Sequence, residues 1–476
     1  MLEKFLLCFF SGFFLYLLSS PAFSADLLKK DSADKALSDA DKIYGLSRIW
    51  QEANYNFAFF DLVPSLDWEQ AYKDYIPSVM ASKSTEEYYL VLQKFCALLK
   101  DGHTIVVPPL QVKESLNLDV PEIELINPGK KIFVINMNKD LKESIPRGSE
   151  ILQINHIPLE EYLNSEIFPY ISSSTEHYLW EKGTERLLIG PSGSEVFITF
   201  ITPEGQTEEL GVIRNSLKAK GSWAYDRKEH KKLLEFRWLD NNIAFISMNS
   251  FADKKIIEEF KACLPELEKS RGLIIDLRYN GGGSSDTGNE IIKYLTDAPF
   301  KDVAWKTPEH IASFKAWGAM AENLTPQQLT TLDDSTLKFL EKCKIYYKSH
   351  GWYEGESEEI MPHSGTLTVP IVVLTGHNTF SSAENFLVVL DKIKRATFVG
   401  QKTAGSTGQP LTIELPGGGQ AYICTRRVLY SDGSDFVGYG ITPHVSAEPA
   451  LDDILNGRDT ILEKGIEVLK EKMAGE

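Results

Sequence analysis

Three short apolar runs punctuate the second half of the chain: Asn242 to Met248, Gly272 to Leu277 and Val369 to Leu374. Each is too short for a typical helix and rich in β-branched residues, which predicts strands buried on both faces. The last two lead into polar turns, Arg278-Tyr279-Asn280-Gly281-Gly282-Gly283-Ser284 and Gly376-His377-Asn378-Thr379. Helical spacing resumes near Thr287 and from Ala383 to Ile393, so the pattern predicts two strand–turn–helix units. Lys254 to Leu267 reads as a helix between the first two strands, and Ala396 to Gly400 as a further strand. Leu411 to Leu415 and Gln420 to Val428 flank Pro416-Gly417-Gly418-Gly419 as a hairpin, and Ala450 to Met473 reads as an amphipathic helix.

Upstream, Leu46 to Asn54, Trp68 to Met80 and Thr85 to Leu99 carry helical spacing, the last with Ser84 and Glu87 at capping-box positions. Pro121 to Val212 switches to short alternating strands and turns, which predicts a separate small β-rich domain. Residues 297–366 read as largely helical, over Pro308 to Met320 and Pro326 to Ser349. They form either a cap over one sheet edge or a plain crossover.

Chemistry gathers at the two strand–turn–helix units. Ser381 and Ser382 stand at a helix entry, where unpaired N–H groups and the helix dipole favour developing negative charge. In an open parallel sheet both turns fall on the carboxyl edge of the strands, where ligands bind. The three glycines let the backbone approach and point N–H groups at an oxyanion; they do not form a dinucleotide-binding fingerprint. His103, in the turn Lys100-Asp101-Gly102-His103-Thr104, offers a proton acceptor. Nucleophile, base and oxyanion donors are the parts that acyl transfer needs.

Lys4, the apolar run Phe5 to Leu18 and the small-residue stretch Ala22-Phe23-Ser24-Ala25 read as a secretory signal peptide cut after Ser24. The alternative is an uncleaved anchor. No second membrane span is expected, so the mature chain is expected in an extracytoplasmic space, periplasmic or secreted. A net charge of −17 argues against a general nucleic-acid binder. Cys96, Cys263, Cys343 and Cys424 show neither a CxxC pair nor zinc-like spacing, and both disulfides and buried thiols stay open. No metal or organic cofactor is expected.

The segments RGLIIDLRYNGGGSSDTG, TFSSAENF, ATFVGQKTAGSTG and GYGITPH, in this order, resemble the S41 family of serine peptidases: the C-terminal processing (tail-specific) and tricorn-core enzymes. The resemblance runs from about Leu99 to His444. It implies an α/β fold with a crotonase-like parallel-sheet catalytic core at 216–448, interrupted by the helical insertion 297–366. An N-terminal helical region at 25–115 and a C-terminal helix at 449–476 flank it. The segment Ile145 to Asn155 resembles the PDZ signature, so 116–215 is expected to be a PDZ-like domain able to hold C-terminal tails of a polypeptide substrate by strand addition.

Residue by residue, the resemblance implies Ser381 as nucleophile, with Ser382 as rival. The Ser382 N–H and a glycine of the pair Gly281-Gly282 would form the oxyanion hole. Ser–Lys members carry the base lysine where this chain has Ser406, and a hydroxyl has no accessible conjugate pair near neutrality. The chain therefore resembles the tricorn-like branch, with His103 as base in an Asp-Gly-His-Thr element. The residue before Gly438, where that branch has an acid, is Val437; Asp435 is the substitute expected behind His103, with Glu384 and Asp432 as rivals. The expected function is a secreted serine endopeptidase or carboxyl-terminal processing enzyme. The alternatives are a catalytically inactive binding protein on the same scaffold and a non-peptide serine hydrolase such as an esterase.

Overall fold

A computed structural model describes residues 37–216, 222–226, 232–357, 359–430 and 432–474. The segment read above as a signal peptide lies outside the described residues. No described helix is long and apolar enough to cross a membrane.

At the centre lies a six-stranded sheet ordered Leu234–Leu239, Ile243–Met248, Gly272–Asp276, Ile371–Thr375, Ala396–Gly400, Val445–Ser446. The first pair is antiparallel and the remaining pairs are parallel. Every residue of the Ile243, Gly272 and Ile371 strands is buried, which is why they read as unbroken apolar runs. Their side chains alternate between two cores. Ala244, Ile246, Leu273, Ile275, Ile371 and Val373 pack with Phe260, Ile291 and Phe386 of the helices Lys255–Leu267, Ser285–Ile292 and Ser382–Lys392. Phe245, Ile274, Val372 and Leu374 pack on the other face with Ile461, Val468 and Leu469 of the helix Thr460–Ala474. The chain thus adopts the expected α/β fold with a parallel-sheet core.

The C-terminal stretch departs from the single expected helix. It breaks into Leu451–Leu455 and Thr460–Ala474, with Gly457 between them at φ +73°. The break lets Asp459 meet Arg278, whose guanidinium is held between Asp276 and Asp459 at 2.6–3.1 Å. That bridge ties the glycine turn to the helix that covers the opposite face of the sheet.

The N-terminal helices Asp39–Asn56, Trp68–Ala81 and Thr85–Ala97 share the first core, with Trp68 stacked on Phe95. They are not a free-standing unit. The strand Ile105–Val107 pairs antiparallel with Gln420–Cys424 of the late hairpin and carries the preceding turn, with His103, toward the half that holds the parallel sheet. Residues 118–213 build a second antiparallel sheet ordered Ile123–Ile126, Phe133–Met137, Glu150–Ile154, Glu195–Ile201, Thr207–Ile213. Its own core includes Val134, Ile151, Val196, Ile198 and Phe200, and it carries the helix Glu176–Arg186.

The 297–366 insertion contains the helices Ala312–Glu322, Pro326–Leu329 and Asp334–Lys348. The first begins after Pro308, because Ala304–Glu309 is taken into a ladder with Gly351–Gly355 and Arg427–Leu429. All four described cysteines are free thiols.

Removing the Arg278 guanidinium strands Asp276 as an unpaired buried carboxylate. Arg278→Met is expected to lower unfolding stability by roughly 3–5 kcal/mol in urea titration; a loss under about 1 kcal/mol would contradict this role for the bridge.

Candidate active site

The strand Ile371–Thr375 ends in a tight turn and the helix Ser382–Lys392 begins at once. Ser381, at the junction, has φ 60° and ψ −124°, a region that side-chain-bearing residues rarely occupy. Such a conformation costs on the order of 1–3 kcal/mol and persists only where the surroundings impose it. Here the Ser381 N–H donates both to the Ser406 carbonyl at 3.0 Å and to Glu384 Oε2 at 3.1 Å.

The glycine turn is fastened to this elbow. Phe380 N–H donates to the Asn280 carbonyl at 3.0 Å, and Thr379 Oγ1 donates to the Leu277 carbonyl at 2.9 Å. Gly282, at φ +88°, lies so close that a Cβ there would fall 2.6 Å from Ser381 Cβ. Its N–H is committed to Asn280 Oδ1 at 2.9 Å. The N–H groups of Gly281 and Ser382 make no hydrogen bond among the described residues, so these two stand available beside Ser381.

His103 reaches the elbow from the N-terminal helical region. Its Nε2 lies 2.9 Å from Ser381 Oγ. The ring lies parallel to Phe380 with centroids 4.7 Å apart. Gly102 permits the approach, because a Cβ there would sit 2.9 Å from both Phe380 Cε2 and Ser406 Oγ.

Behind the imidazole, Nδ1 lies 2.9 Å from Ser406 Oγ, and Ser406 Oγ lies 3.3 Å from Asp101 Oδ1. Burial pushes the Asp101 carboxyl up to about 6, against hydrogen bonds from Thr104, Ser174, Ser406 and the His103 N–H. At neutral pH it is mainly ionised and only accepts. Ser406 must then donate to Asp101 and accept from His103 Nδ1–H. That leaves the Nε2 lone pair facing the Ser381 hydroxyl, the tautomer a general base requires. Burial, with a smaller contribution from the Arg426 charge, pushes His103 down to about 3, so the imidazole is neutral at working pH.

Glu384 is fully buried and does not back the histidine. It accepts from Ser381 N–H, Thr403 Oγ1 at 2.5 Å, Gly405 N–H at 2.8 Å and Ser406 N–H at 3.0 Å. Burial pushes its carboxyl up to about 7, against donors that favour the ionised form. It fixes the loop carrying Ser406 to the loop carrying Ser381.

The expectation that Asp435 orients His103 is not met. Asp435 Oδ1 lies 3.6 Å from Arg427 Nε, and the residue bridges to Leu429, because the chain after Tyr430 folds back onto its own strand. Asp432 accepts from its neighbour Ser434 and serves as a turn former. The structure thus brings Ser381, Ser382, His103, Ser406, Glu384 and the glycine turn together and leaves Asp435 outside. Sequence reasoning passed over Asp101 as the acid. Its place two residues before His103 was the available signal, but the intervening Ser406 lies 305 residues from it in the chain.

A strained serine at a strand–helix elbow, an imidazole on its hydroxyl and free N–H groups beside it are the parts that serine hydrolases combine. Residues 242–447, a little under half of the chain, match the model of peptidase family S41. The chain's fold is similar to that of mature CPAF complexed with lactacystin, at a TM-score of 0.67 and 17% identity, over 92% of this chain and 99% of that one. A protein of Chlamydia trachomatis serovar D is 26% identical over 228 residues, covering 42% of this chain and 37% of that protein. An uncharacterized protein of Chlamydia muridarum is 27% identical over 216 residues, covering 39% and 36%. The chain spans little more than a third of the length of these curated relatives.

Ser406→Ala is expected to lower kcat by roughly 10²–10⁴-fold, because the imidazole loses its orienting acceptor, with KM little changed. A kcat within about threefold of the parent would remove Ser406 from the site. Histidine-selective NMR is expected to show the His103 ring, identified by its loss in His103→Ala, neutral from pH 8 down to pH 5. A midpoint near 6.5 would contradict the desolvated environment.

Proposed function

We propose that the chain is an extracytoplasmic serine peptidase that hydrolyses peptide bonds through an acyl-enzyme on Ser381, with His103 as general base. The 2.9 Å contact between His103 Nε2 and Ser381 Oγ carries this reading. As Ser381 Oγ attacks the scissile carbonyl, His103 Nε2 takes its proton, and the carbonyl oxygen becomes an oxyanion. The N–H groups of Ser382 and Gly281 receive that charge, since the Gly282 N–H is already held by Asn280. Collapse of the adduct expels the amine, which takes the proton from His103. Water, deprotonated by the same ring, then hydrolyses the ester and restores the Ser381 hydroxyl.

The Asp101–Ser406 pair orients the imidazole and stabilises its charged form. Ser381 is 8% and His103 1% exposed, so the dyad works in a water-poor environment and a substrate enters only as neighbouring side chains shift. The extracytoplasmic setting rests on the reading of residues 1–25 as a signal. The β-rich domain is proposed to take polypeptide tails by strand addition. The strands Ile123–Ile126 and Thr207–Ile213 stand at the two edges of its sheet, where such a strand would add.

A fluorophosphonate probe is expected to label the protein once, with labelling abolished in Ser381→Ala and slowed by at least about 10²-fold in His103→Ala. Labelling that persists in Ser381→Ala overturns the nucleophile. Labelling without cleavage of a peptide library marks a non-peptide hydrolase, and an unlabelled parent marks a binding protein.

A further inference from the structure

Arg426 has no part in the acyl-enzyme chemistry, yet it is rooted beside it. It sits in the turn between the strands Gln420–Cys424 and Arg427–Leu429. Two residues earlier, Cys424 N–H donates to Thr104 Oγ1 at 3.0 Å, next to His103. Cys424 Sγ also lies 3.7 Å from the Thr407 carbonyl, next to Ser406, and 3.7 Å from the Arg426 carbonyl. The guanidinium lies over the Trp305 ring at 5.5 Å.

Its Nε is buried and makes no hydrogen bond. Arg427, next in the chain, instead faces Asp61 and Asp435. Among the described residues, Arg426 is the one arginine that is not exposed and whose side chain makes neither a hydrogen bond nor an ion pair. The charged and titratable groups around it are Asp302, which acts at a distance without pairing, Cys424, and His103, whose protonated form it disfavours.

A partly buried guanidinium whose Nε has no partner keeps donors free for an anion, and its planar fork matches a carboxylate. We propose that Arg426 is a specificity-determining residue that binds a carboxylate of the polypeptide substrate beside the scissile bond. The proposal rests on the peptidase reading above. The carboxylate belongs either to an Asp or Glu side chain or to the end of the substrate chain. Pairing with it also cancels the positive field at the imidazole. The correct substrate thereby raises the basicity of His103, so binding energy is directed into the proton transfer.

The test uses the full chain and matched pairs of internally quenched peptides. One set carries Glu or Gln on either side of the cleaved bond, and the other ends in a free acid or an amide. The acidic member of at least one set is expected to have a kcat/KM at least about tenfold higher, which also identifies the source of the carboxylate. Arg426→Gln is expected to bring that ratio to near one, and Arg426→Lys to retain part of it. Ratios within about twofold in every set for the parent, with cleavage intact, overturn the proposal and leave the peptidase reading standing. So does a preference that survives in an Arg426→Gln protein of unchanged melting temperature. Fluorophosphonate labelling without any peptide cleavage overturns both.

Discussion

Glu384 is the interaction on which the site depends. Its carboxylate is fully buried and takes donors from four groups on two loops that are distant in sequence: Ser381 on one side, and Thr403, Gly405 and Ser406 on the other. A buried carboxylate is tolerated only when its lone pairs are filled, so each donor is bound to its place by the desolvation the others prevent. The strained Ser381 backbone and the Ser406 hydroxyl inherit that rigidity. One residue on the first turn of a helix thus sets both Ser381 and the Ser406 hydroxyl that meets His103.

The rest of the fold delivers partners to that staple. The parallel sheet brings two strand ends side by side, and the glycine turn at one of them packs where a side chain would strike Ser381. The histidine comes from a region whose own core is helical. It is brought in by a three-residue strand on the late hairpin and by Gly102, which leaves room for Phe380. The middle β-rich domain also reaches the site. Ser174 donates to Asp101 at 3.2 Å, Thr175 donates to the Ala404 carbonyl at 2.8 Å, and Tyr178 stacks on Phe380 with ring centroids 5.3 Å apart. All three segments therefore meet within one hydrogen-bonded network.

The buried strands were legible in the sequence because double-sided burial leaves an unbroken apolar run, and the elbow because a strand, a polar turn and a helix follow one another there. Ser381, the glycine turn and His103 each sit in a local pattern of this kind. The acid behind His103 was not legible. Its link passes through Ser406, contributed by a loop from the far end of the chain, and no local pattern records which hydroxyl will fall between two distant residues. Asp435 was selected by its position near a motif, and the fold turns it toward Arg427 instead. Likewise, Pro308 reads as a helix start, but the ladder with Gly351–Gly355 claims it for a strand.

The central claim is that Ser381 and His103 act as one unit. A double-mutant cycle on peptide hydrolysis, comparing Ser381→Ala, His103→Ala and the double variant, tests it most directly. Residues that share one step are strongly non-additive, so the double variant is predicted to be no slower than the slower single variant. Rate losses that multiply would show two independent contributions and contradict the account.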